Sequence, residues 1–529
     1  MRYLVHHLLA DSAARTPDAP CILDGDHVTT FAALDDEVGR LAGGLARLGV
    51  GFGDRVAVHL GKTREEAASM LAASRADAVF VNINTQLRGP QVRHILSDSG
   101  AVVLITHRGR LRGLTEALAG LPALKALIVV GGERGVPKGA VPEGLPWVPW
   151  DEAVAGDAPP PTHRRRVETD PAGIIYTSGS SGAPKGVVVS HRNVVCGAGS
   201  VSSYVRNTPD DVILSVLPFS FDYGMNQLMC ALRVGCALAL CRYLGPGDIL
   251  EAAKRHRATG LAGIPPIWSA LLQLDWDADA FAHLRYITNS GGAFPVEHVR
   301  AYRERLPHTQ VFLMYGLTEA FRSTYLDPAQ VDVRPDSMGK AIPDAEIVLV
   351  DDDDQLCGPG EIGQLVHRGP LVALGYWNDP VRTAERFRPD PLAPKGLQVE
   401  QKVVYSGDYV RMDAEGYLYF VGRRDMMIKT SGFRVSPDEV EAFFYDSGLV
   451  RDAVALGLPD PDLGQRIRLI AAPAAGQTVT AEQLIAAVQR QMPSYMVPKE
   501  VELRDSLPRN ANGKLDRARL AREARGEDA

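Results

Sequence analysis

The segment RVAVHLGKTREEAASMLAASRADAVFVNI, residues 55–83, decides the fold class. It begins with an apolar, β-branched run at 55–60 and ends with a second such run at 78–83. Between these runs, residues 63–74 have the apolar spacing of a helix. Strands that are apolar along their whole length and alternate with helices are typical of parallel sheets covered on both faces. We therefore predict an α/β fold.

The bulk composition is that of an ordinary globular protein. The chain has 529 residues, 45% of them hydrophobic and 23% charged, with a net charge of −7. This length exceeds one ordinary domain, so we expect at least two. The mild acidic excess argues against nucleic acid as a partner.

The sequence also indicates where the protein resides. The N-terminus lacks the features of a secretory signal, and no stretch of about 18 apolar residues predicts a membrane span. The six cysteines show no C-x-x-C spacing, and most lie in apolar surroundings. We interpret them as buried, reduced thiols and predict a cytoplasmic location.

The pattern of predicted secondary structure changes twice toward the C-terminus. From about Ile347, short strands alternate with Gly-rich turns, which predicts a small antiparallel or barrel-like section. After Asp425, capping signatures at 436–439 and 480–483 begin helices, and strand-like runs lie between them. We predict a large domain over 1–424 and a compact α+β domain of about a hundred residues over 425–529.

The most informative motif is IIYTSGSSGAPKGVVVSHRN, residues 174–193. An apolar strand leads into small and hydroxyl residues, and a second apolar strand follows them. Glycines allow backbone N–H groups to surround an anion, and a lysine adds a point charge. The spacing is not that of a Walker A loop, because a strand follows where a helix should begin. We predict a phosphate-binding loop formed by Thr177, Ser178, Gly179, Ser180, Ser181, Gly182 and Lys185.

This loop resembles that of the adenylate-forming superfamily, which contains acyl- and aryl-CoA synthetases, peptide-synthetase adenylation domains and luciferases. The resemblance covers essentially the whole chain, since further motifs follow in the order typical of the family. It extends to stand-alone ligases that accompany exosortase loci. It implies a large N-terminal domain of layered αβ subdomains with a small barrel-like section, followed by a mobile C-terminal lid. The implied cofactors are ATP and Mg²⁺, with a phosphopantetheine thiol as acceptor.

The segment LPFSFDYGMNQL, residues 217–228, resembles the acid-pocket motif of this superfamily. Amino-acid-activating members carry Phe-Asp where Phe221 and Asp222 stand, and in them the aspartate pairs with the substrate ammonium. A carboxylate in an apolar pocket needs such a cation. The alternative is an aspartate hydrogen-bonded at the start of a helix.

Two further motifs resemble the nucleotide site. TNSGGAFP at 288–295 matches the turn that lies against adenine, with Gly291, Gly292 and Ala293 at its tip. The segment that contains Met314, Tyr315 and Gly316 ends in Thr318 and Glu319. By resemblance, Tyr315 stacks on adenine, Thr318 contacts the α-phosphate and Glu319 holds Mg²⁺, a cation that prefers oxygen ligands.

The C-terminal motifs complete the resemblance. Asp408 is expected to accept from both ribose hydroxyls, since its paired oxygens match a vicinal diol, and Arg423 to reach the same sugar. Asp425 matches the hinge between the domains. Lys429 and Gly432 match residues that approach the site in the thioester-forming orientation, and Lys514, within NANGKLDR, matches the adenylation lysine.

Three features favour an amino acid that is loaded onto a carrier protein: Phe221-Asp222, PSYMVP at 493–498 and the NANGKLDR ending. No G-x-D-S-[LI] phosphopantetheine site occurs in these residues, so we expect the carrier to be a separate protein. The alternative is an acyl-CoA ligase that joins a fatty or aryl acid to free coenzyme A. A non-catalytic nucleotide-binding protein is a third possibility, which the presence of Lys514, Glu319 and Asp408 disfavours.

The resemblance also assigns the acid pocket. Its lining residues are Phe221, Asp222, Tyr223, Asn226, Gly263, Thr288, Ser290, Met314, Arg322 and Ser323. Arg322 is unusual for an apolar substrate. If it faces the pocket, a second carboxylate or another polar acceptor on the substrate would satisfy it. If it faces solvent, a small amino acid such as proline or alanine fits.

Overall fold

The computed structural model describes residues 3–157, 166–177, 184–276, 278–394, 396, 401–423, 426–430, 433–460, 463–489, 492, 495–510 and 513–526. These residues form two compact units. The first contains the described residues up to Ile347 together with His367–Val404, and the second contains Val348–Val366 and the described residues from Tyr405 onward. The boundary predicted at 424/425 remains a prediction.

The helices alternate with strands over most of the first unit. They are α1 Val5–Arg15, α2 Phe31–Arg47, α3 Arg64–Arg75, α4 Gly89–Ser99, α5 Thr115–Leu118, α6 Trp150–Ala153, α7 His191–Val205, α8 Asp222–Val234, α9 Pro246–His256, α10 Pro265–Leu272, α11 Val296–Arg305, α12 Pro380–Arg386, α13 Pro437–Asp446, α14 Ala481–Val488 and α15 Arg517–Arg525.

The strands of the first four hundred residues are short, and most are apolar. They are β1 Pro20–Asp24, β2 His27–Thr30, β3 Arg55–His59, β4 Val79–Asn82, β5 Ala101–His107, β6 Ala126–Val130, β7 Trp147–Pro149, β8 Pro171–Thr177, β9 Lys185–Ser190, β10 Val212–Ser215, β11 Ala237–Leu240, β12 Gly260–Gly263, β13 Tyr286–Asn289, β14 Gln310–Tyr315, β15 Thr324–Leu326, β16 Lys340–Ala341, β17 Glu346–Val350, β18 Ile362–Arg368, β19 Gly375–Tyr376 and β20 Phe387–Pro389. The remaining strands are β21 Lys402–Met412, β22 Leu418–Arg423, β23 Ile428–Thr430, β24 Phe433–Val435, β25 Val450–Asp460, β26 Gly464–Pro473 and β27 Glu500–Leu503.

The first unit contains two large, mostly parallel sheets. One has eight strands in the order β19-β9-β8-β4-β3-β5-β6-β7, and the other has nine in the order β16-β15-β14-β13-β12-β10-β11-β1-β2. The predicted β3-α3-β4 unit is present, and β3 and β4 pair in parallel. Thr63 caps α3, because its hydroxyl accepts from the backbone N–H of Glu66. The predicted α/β class is confirmed.

The predicted change after Ile347 to a section composed mainly of strands is also observed. Strands β17 to β22 follow between Glu346 and Arg423, and most of them are short. In the first unit, β20 pairs antiparallel with the start of β21 at Lys402–Val404. In the second unit, β22 pairs antiparallel with the rest of β21, from Asp408 to Met412.

The second unit ends in the predicted α+β arrangement. A five-stranded sheet of β23 to β27 carries α13 and α14 over a core that includes Phe444, Leu469 and Leu484. Both helices begin where the capping signatures predicted: Ser436 accepts from the N–H of Glu439, and Thr480 forms a reciprocal capping box with Gln483. Among the described residues, no helix is long and apolar enough to cross a membrane.

Candidate active site

A β-hairpin brings the ends of the predicted phosphate loop together. Strands β8 and β9 pair antiparallel, and their last pair is Thr177 with Lys185. The turn between them, which includes the predicted Ser178, Gly179, Ser180, Ser181 and Gly182, lies outside the described residues. The hydroxyl oxygen of Thr177 is buried and has no hydrogen-bond partner among the described residues. A buried hydroxyl normally finds a partner, so this position has capacity for a ligand.

Lys185, Glu319 and Tyr376 form a closed triangle beside this hairpin. The Lys185 ammonium donates to Oε1 of Glu319 over 3.0 Å and to the Tyr376 hydroxyl over 2.8 Å. That hydroxyl in turn donates to the same Oε1 over 2.5 Å. The ammonium also lies 4.3 Å from the centroid of the Tyr376 ring, a cation–π contact. We call these three residues the Lys185 triangle.

Local structure explains how the triangle forms. Glu319 lies in a single 3₁₀ turn, Thr318–Ala320, directly after β14. Tyr376 lies on β19, which pairs with β9 and so brings the ring beside Lys185. The backbone N–H of Ala373 donates to the carbonyl of Glu319 and ties the two segments together. Three segments that are distant in sequence therefore meet at one carboxylate.

The triangle keeps Glu319 ionised. Burial alone raises the pKa of a carboxyl, but the Lys185 charge and the hydrogen bonds from Tyr376 and Lys185 outweigh it, and the pKa lies below its usual value. Both hydrogen bonds fall on Oε1, and neither uses Oε2. Neither Lys185 nor Tyr376 therefore competes with a metal ion for Oε2.

Asp222 extends this polar cluster toward the predicted acid pocket. It is the first residue of α8, so the alternative of an aspartate at a helix start is correct as to position. The Thr318 hydroxyl lies 3.5 Å from Oδ1 of Asp222 and donates to it. Burial and the nearby Glu319 charge raise the pKa of Asp222, and the Arg322 charge opposes that rise.

Arg322 faces the protein interior. Its Nη1 lies 3.1 Å from Oδ2 of Asp222, and both side chains are at most 4% exposed. The guanidinium carbon lies 4.5 Å from the centroid of the Tyr223 ring. Of the two positions left open by the sequence, the structure shows the buried one. Asp222 therefore already has a cation from its own chain, which the interpretation of this residue as an ammonium anchor did not foresee.

The backbone before Arg322 is strained. Phe321 has φ +57° and ψ −46°, and the N–H of Arg322 donates to the carbonyl of Ala320 over 2.6 Å. A hydrogen bond across one residue with these angles defines the rare γ-turn with positive φ. A bulky residue adopts it only where its surroundings impose it. The ring of Phe321 is fully buried against Gly197 of α7, and a Cβ at Gly197 would overlap it.

Several predicted pocket residues do come together. Tyr223, Asn226, Thr288 and Met314 line a cavity of about 30 Å³. The Tyr223 hydroxyl donates to the carbonyl of Thr288 over 2.8 Å. Ser290 is buried after β13, Gly263 ends β12 against Trp268, and Phe221 is the N-cap of α8.

Ser323 is buried next to Arg322. Its hydroxyl oxygen lies 2.9 Å from Nδ1 of His367, a buried histidine whose pKa burial lowers to about 3. His367 is therefore neutral at physiological pH.

The predicted adenine-binding turn has the geometry that its glycines permit. Gly291 has φ +78°, in the left-handed region that favours glycine. Gly292 and Ala293 are exposed, and Gly292 is anchored because its carbonyl accepts from the side-chain amide of Asn289. Tyr315 ends β14, and Gly316 follows it in contact with Arg322.

The second unit carries the other predicted site residues. Asp408 is buried, and its Oδ1 lies 3.2 Å from Nε of Arg423, so these two predicted ribose contacts are neighbours. Lys514 is exposed on a tight turn in which its N–H donates to Oδ1 of Asn510. Lys429 lies on β23, but its side chain is not among those that the structure describes. Asp425 and Gly432 lie outside the described residues.

Sequence reasoning missed Tyr376, Phe321 and His367. Tyr376 follows Gly375 in a segment without a recognisable motif. Its role depends on strand pairing with Val187, which lies 189 positions earlier in the chain. His367 and Phe321 act by packing. The aromatic residue two positions after Glu319 was the one available signal, and it indicates packing as readily as function.

Comparisons with known proteins agree along the whole chain. The family described as AMP-binding enzyme matches residues 9–377, and the AMP-binding enzyme C-terminal domain matches residues 439–514. A feruloyl-CoA synthase of an Amycolatopsis species is 31% identical, with 96% of this chain and 97% of that protein covered. An L-proline–[L-prolyl-carrier protein] ligase of Streptomyces coelicolor is also 31% identical, with 98% and 96% covered. The o-succinylbenzoate coenzyme A synthetase of Bacillus subtilis, solved with ATP and magnesium ion, superposes with a TM-score of 0.81 at 25% identity, covering 97% of this chain and 98% of that one.

Proposed function

Because the chain belongs to the AMP-binding enzyme family, we propose that the residues described above carry out the two half-reactions of an AMP-forming acid–thiol ligase. In the first, the carboxylate of an acid attacks the α-phosphorus of ATP, and pyrophosphate leaves. In the second, a thiol attacks the carbonyl of the acyl-AMP, and AMP leaves. Both steps depend mainly on positioning and on charge stabilisation.

The Lys185 triangle is the observation that carries this proposal. It places a cation, an ionised carboxylate and a hydroxyl at the base of the hairpin whose turn is the predicted phosphate loop. Lys185 and the Thr177 hydroxyl are suited to hold phosphate oxygens as pyrophosphate departs. Thr318, next to Glu319, is suited to the α-phosphate.

The residues present also fit Mg²⁺. Among the described residues, no group of three or more His, Cys, Asp and Glu could hold a metal. Mg²⁺ does not need one, since it commonly binds one or two carboxylates together with substrate phosphates. Glu319 supplies a carboxylate with one oxygen not used by the triangle. Bound there, the ion would neutralise charge on the phosphate oxygens.

We assign Lys514 to the first half-reaction. It lies in the second unit on an exposed turn. The backbone N–H of Asn510 closes this turn by donating to the carbonyl of Lys514. An ammonium group between the acid carboxylate and the α-phosphate would offset the repulsion between two anions that must meet. Asp408 and Arg423 would hold the ribose. The second half-reaction requires Lys514 to withdraw, and we propose that the C-terminal domain moves about Asp425 and presents Lys429 and Gly432.

The finer proposal is an amino acid that is transferred to the phosphopantetheine thiol of a separate carrier protein. The Phe221-Asp222 pair and the similarity to the prolyl-carrier ligase support it. A second candidate is an acyl-CoA ligase that uses free coenzyme A. One observation favours it: Asp222 is already paired with Arg322, so a substrate ammonium would be a second cation on one carboxylate.

Pyrophosphate–ATP exchange tests the proposal. Purified protein with ATP and magnesium is offered amino acids, short polar acids, fatty acids and aryl acids. The accepted acid is then offered to coenzyme A and to a panel of phosphopantetheinylated carrier proteins, and the acyl thioester is detected by mass.

Matched variants show whether the exchange comes from this site. Glu319→Gln should abolish exchange, and Asp332→Asn, at an exposed surface carboxylate, should leave it unchanged. If no acid releases pyrophosphate, the proposed function is wrong.

A further inference from the structure

Arg322 has more hydrogen-bond donors than its surroundings use. Nη1 donates to Asp222, but Nε and Nη2 are buried and have no partner among the described residues. The residue is 2% exposed, so water does not reach these groups freely. Buried N–H groups of a charged side chain are costly to leave unpaired. A ligand with an acceptor atom would satisfy them.

The position of Arg322 points to the acid as that ligand. Its guanidinium stacks on the ring of Tyr223, which lines the cavity of about 30 Å³ together with Thr288 and Met314. Asp222, its ion-pair partner, accepts from Thr318. These contacts connect the guanidinium through Asp222 to Thr318, the proposed α-phosphate contact, and directly to Tyr223, a predicted residue of the acid pocket.

Counting charges selects the kind of acceptor. Arg322 balances Asp222 in a buried pair, and Lys185 balances Glu319 in a partly exposed one, so each pair is neutral. An additional ammonium would leave a cation uncompensated, and an additional carboxylate would leave an anion uncompensated. Either is unfavourable in a buried site. An amide, carbonyl or hydroxyl oxygen accepts hydrogen bonds without adding charge.

Hydrogen bonding rather than charge therefore selects the acid at this position. The inference rests on the proposed ligase function but departs from its amino-acid form, because a substrate ammonium would add a buried cation. We infer that the enzyme activates a carboxylic acid whose chain carries an uncharged hydrogen-bond acceptor, which Nε and Nη2 of Arg322 recognise.

Four-carbon acids that differ at one end test this inference by pyrophosphate–ATP exchange. They are butanoate, succinamate, succinate and 4-aminobutanoate, with alanine, proline, a long-chain acid and an aryl acid for comparison. We expect kcat/KM for succinamate to exceed that for butanoate about 10-fold or more, which corresponds to one good hydrogen bond to a charged group. Succinate and 4-aminobutanoate should both fall below succinamate.

Variants then assign the preference to Arg322. Asp222→Asn combined with Arg322→Met removes both charges together, so that no unpaired ion remains buried. The succinamate-to-butanoate ratio should fall toward one, and because the ratio is taken within each variant, a general loss of rate does not affect it. Arg322→Lys keeps a cation beside Asp222 but replaces the planar guanidinium with an ammonium. It should therefore lower the ratio while the ion pair remains.

The matched control is a surface ion pair of the same length. Arg303 lies 3.1 Å from Asp332, and the double variant Arg303→Met with Asp332→Asn should leave the ratio at its wild-type value. A wild-type preference for butanoate, succinate, 4-aminobutanoate, alanine, proline or a long-chain or aryl acid overturns the inference. So does a ratio that Arg322→Lys and the double variant leave unchanged. No exchange with any acid instead refutes the proposed function itself.

Discussion

The ammonium of Lys185 lies 3.0 Å from the carboxylate of Glu319, although 134 positions separate them in the chain. Lys185 begins β9 of the eight-stranded sheet, and Glu319 lies four positions after the last residue of β14 in the nine-stranded sheet. The ion pair therefore joins the two sheets at the point where the predicted phosphate loop ends.

The Tyr376 hydroxyl should lower the pKa of the Glu319 carboxyl group. Tyr376→Phe removes a hydrogen bond that lowers the pKa of Glu319, so the acid limb of the pH–rate profile should move to higher pH. We expect pyrophosphate exchange at neutral pH to fall about 10-fold, since hydrogen bonds to charged groups contribute roughly 1.5–3 kcal/mol. Tyr445→Phe, which removes a hydroxyl bonded to Ala453 in the other unit, is the control and should change neither quantity.

Lys514 should separate the two half-reactions. Lys514→Ala is expected to lower acyl-AMP formation by about 100-fold or more, as loss of a group that stabilises transition-state charge does elsewhere. Thioester formation from supplied acyl-AMP should be retained. Rapid quench of each half-reaction measures both rates, and Lys499→Ala, at another exposed lysine of the same unit, provides the comparison. Equal loss in both half-reactions would contradict the assignment.

The absence of a side chain at Gly197 should be required for the Phe321 ring to pack against α7. In Gly197→Ala, the new methyl group would overlap the ring, and overpacking of this kind typically costs about 1–3 kcal/mol of unfolding free energy. Exchange should fall as well, because the γ-turn at Phe321 positions Arg322. Gly247→Ala in α9 meets no atom within 4 Å, so it should be neutral or slightly stabilising. Urea denaturation and exchange assays on both variants give the answer, and similar behaviour of the two would disprove the packing argument.

Two buried histidines should make the protein sensitive to acid. Burial lowers the pKa of both His191 and His367 to about 3 from an ordinary value of 6.5. The stability that the folded protein gains from holding these histidines neutral is therefore fully present above pH 6.5, and it is lost as the pH falls from 6.5 toward 3. Between pH 6.5 and pH 5, each should cost about 2 kcal/mol of unfolding free energy, at about 1.4 kcal/mol per pH unit.

Comparison of variants isolates one of these histidines. His367→Gln should lose about 2 kcal/mol less than the wild type between pH 7.5 and pH 5 in urea denaturation. His308→Gln, at an exposed histidine, should follow the wild-type curve. A variant at position 367 with the full wild-type acid sensitivity would show that this histidine is not held neutral in the folded state.

Local patterns predicted the fold and part of the site. The apolar runs around α3 specified β3 and β4 because strands buried on both faces leave a continuous hydrophobic signal in the sequence. Thr177 and Lys185 were predicted at the two ends of a loop between strands, and the structure shows that these strands pair antiparallel. In each case the signal and the structure lie within about thirty residues.

The partners of these residues could not be predicted in the same way. Tyr376 reaches Lys185 through the pairing of β19 with β9, and no spacing rule connects those positions. The internal pairing of Asp222 with Arg322 is similar: the sequence placed both in the acid pocket but did not show that each would satisfy the other. Such pairings depend on the packing of whole elements, which tertiary structure alone supplies.

The γ-turn at Phe321 separates two tasks that are only three residues apart. Glu319 is positioned by the strand that ends before it, whereas the direction of Arg322 is set by the Phe321 ring, which packs against Gly197 of α7. Exchange of the side chain at 322 therefore leaves the backbone of the phosphate-handling residues in place. Over evolution or in engineering, this enzyme could acquire a new acid while it keeps its chemistry with ATP.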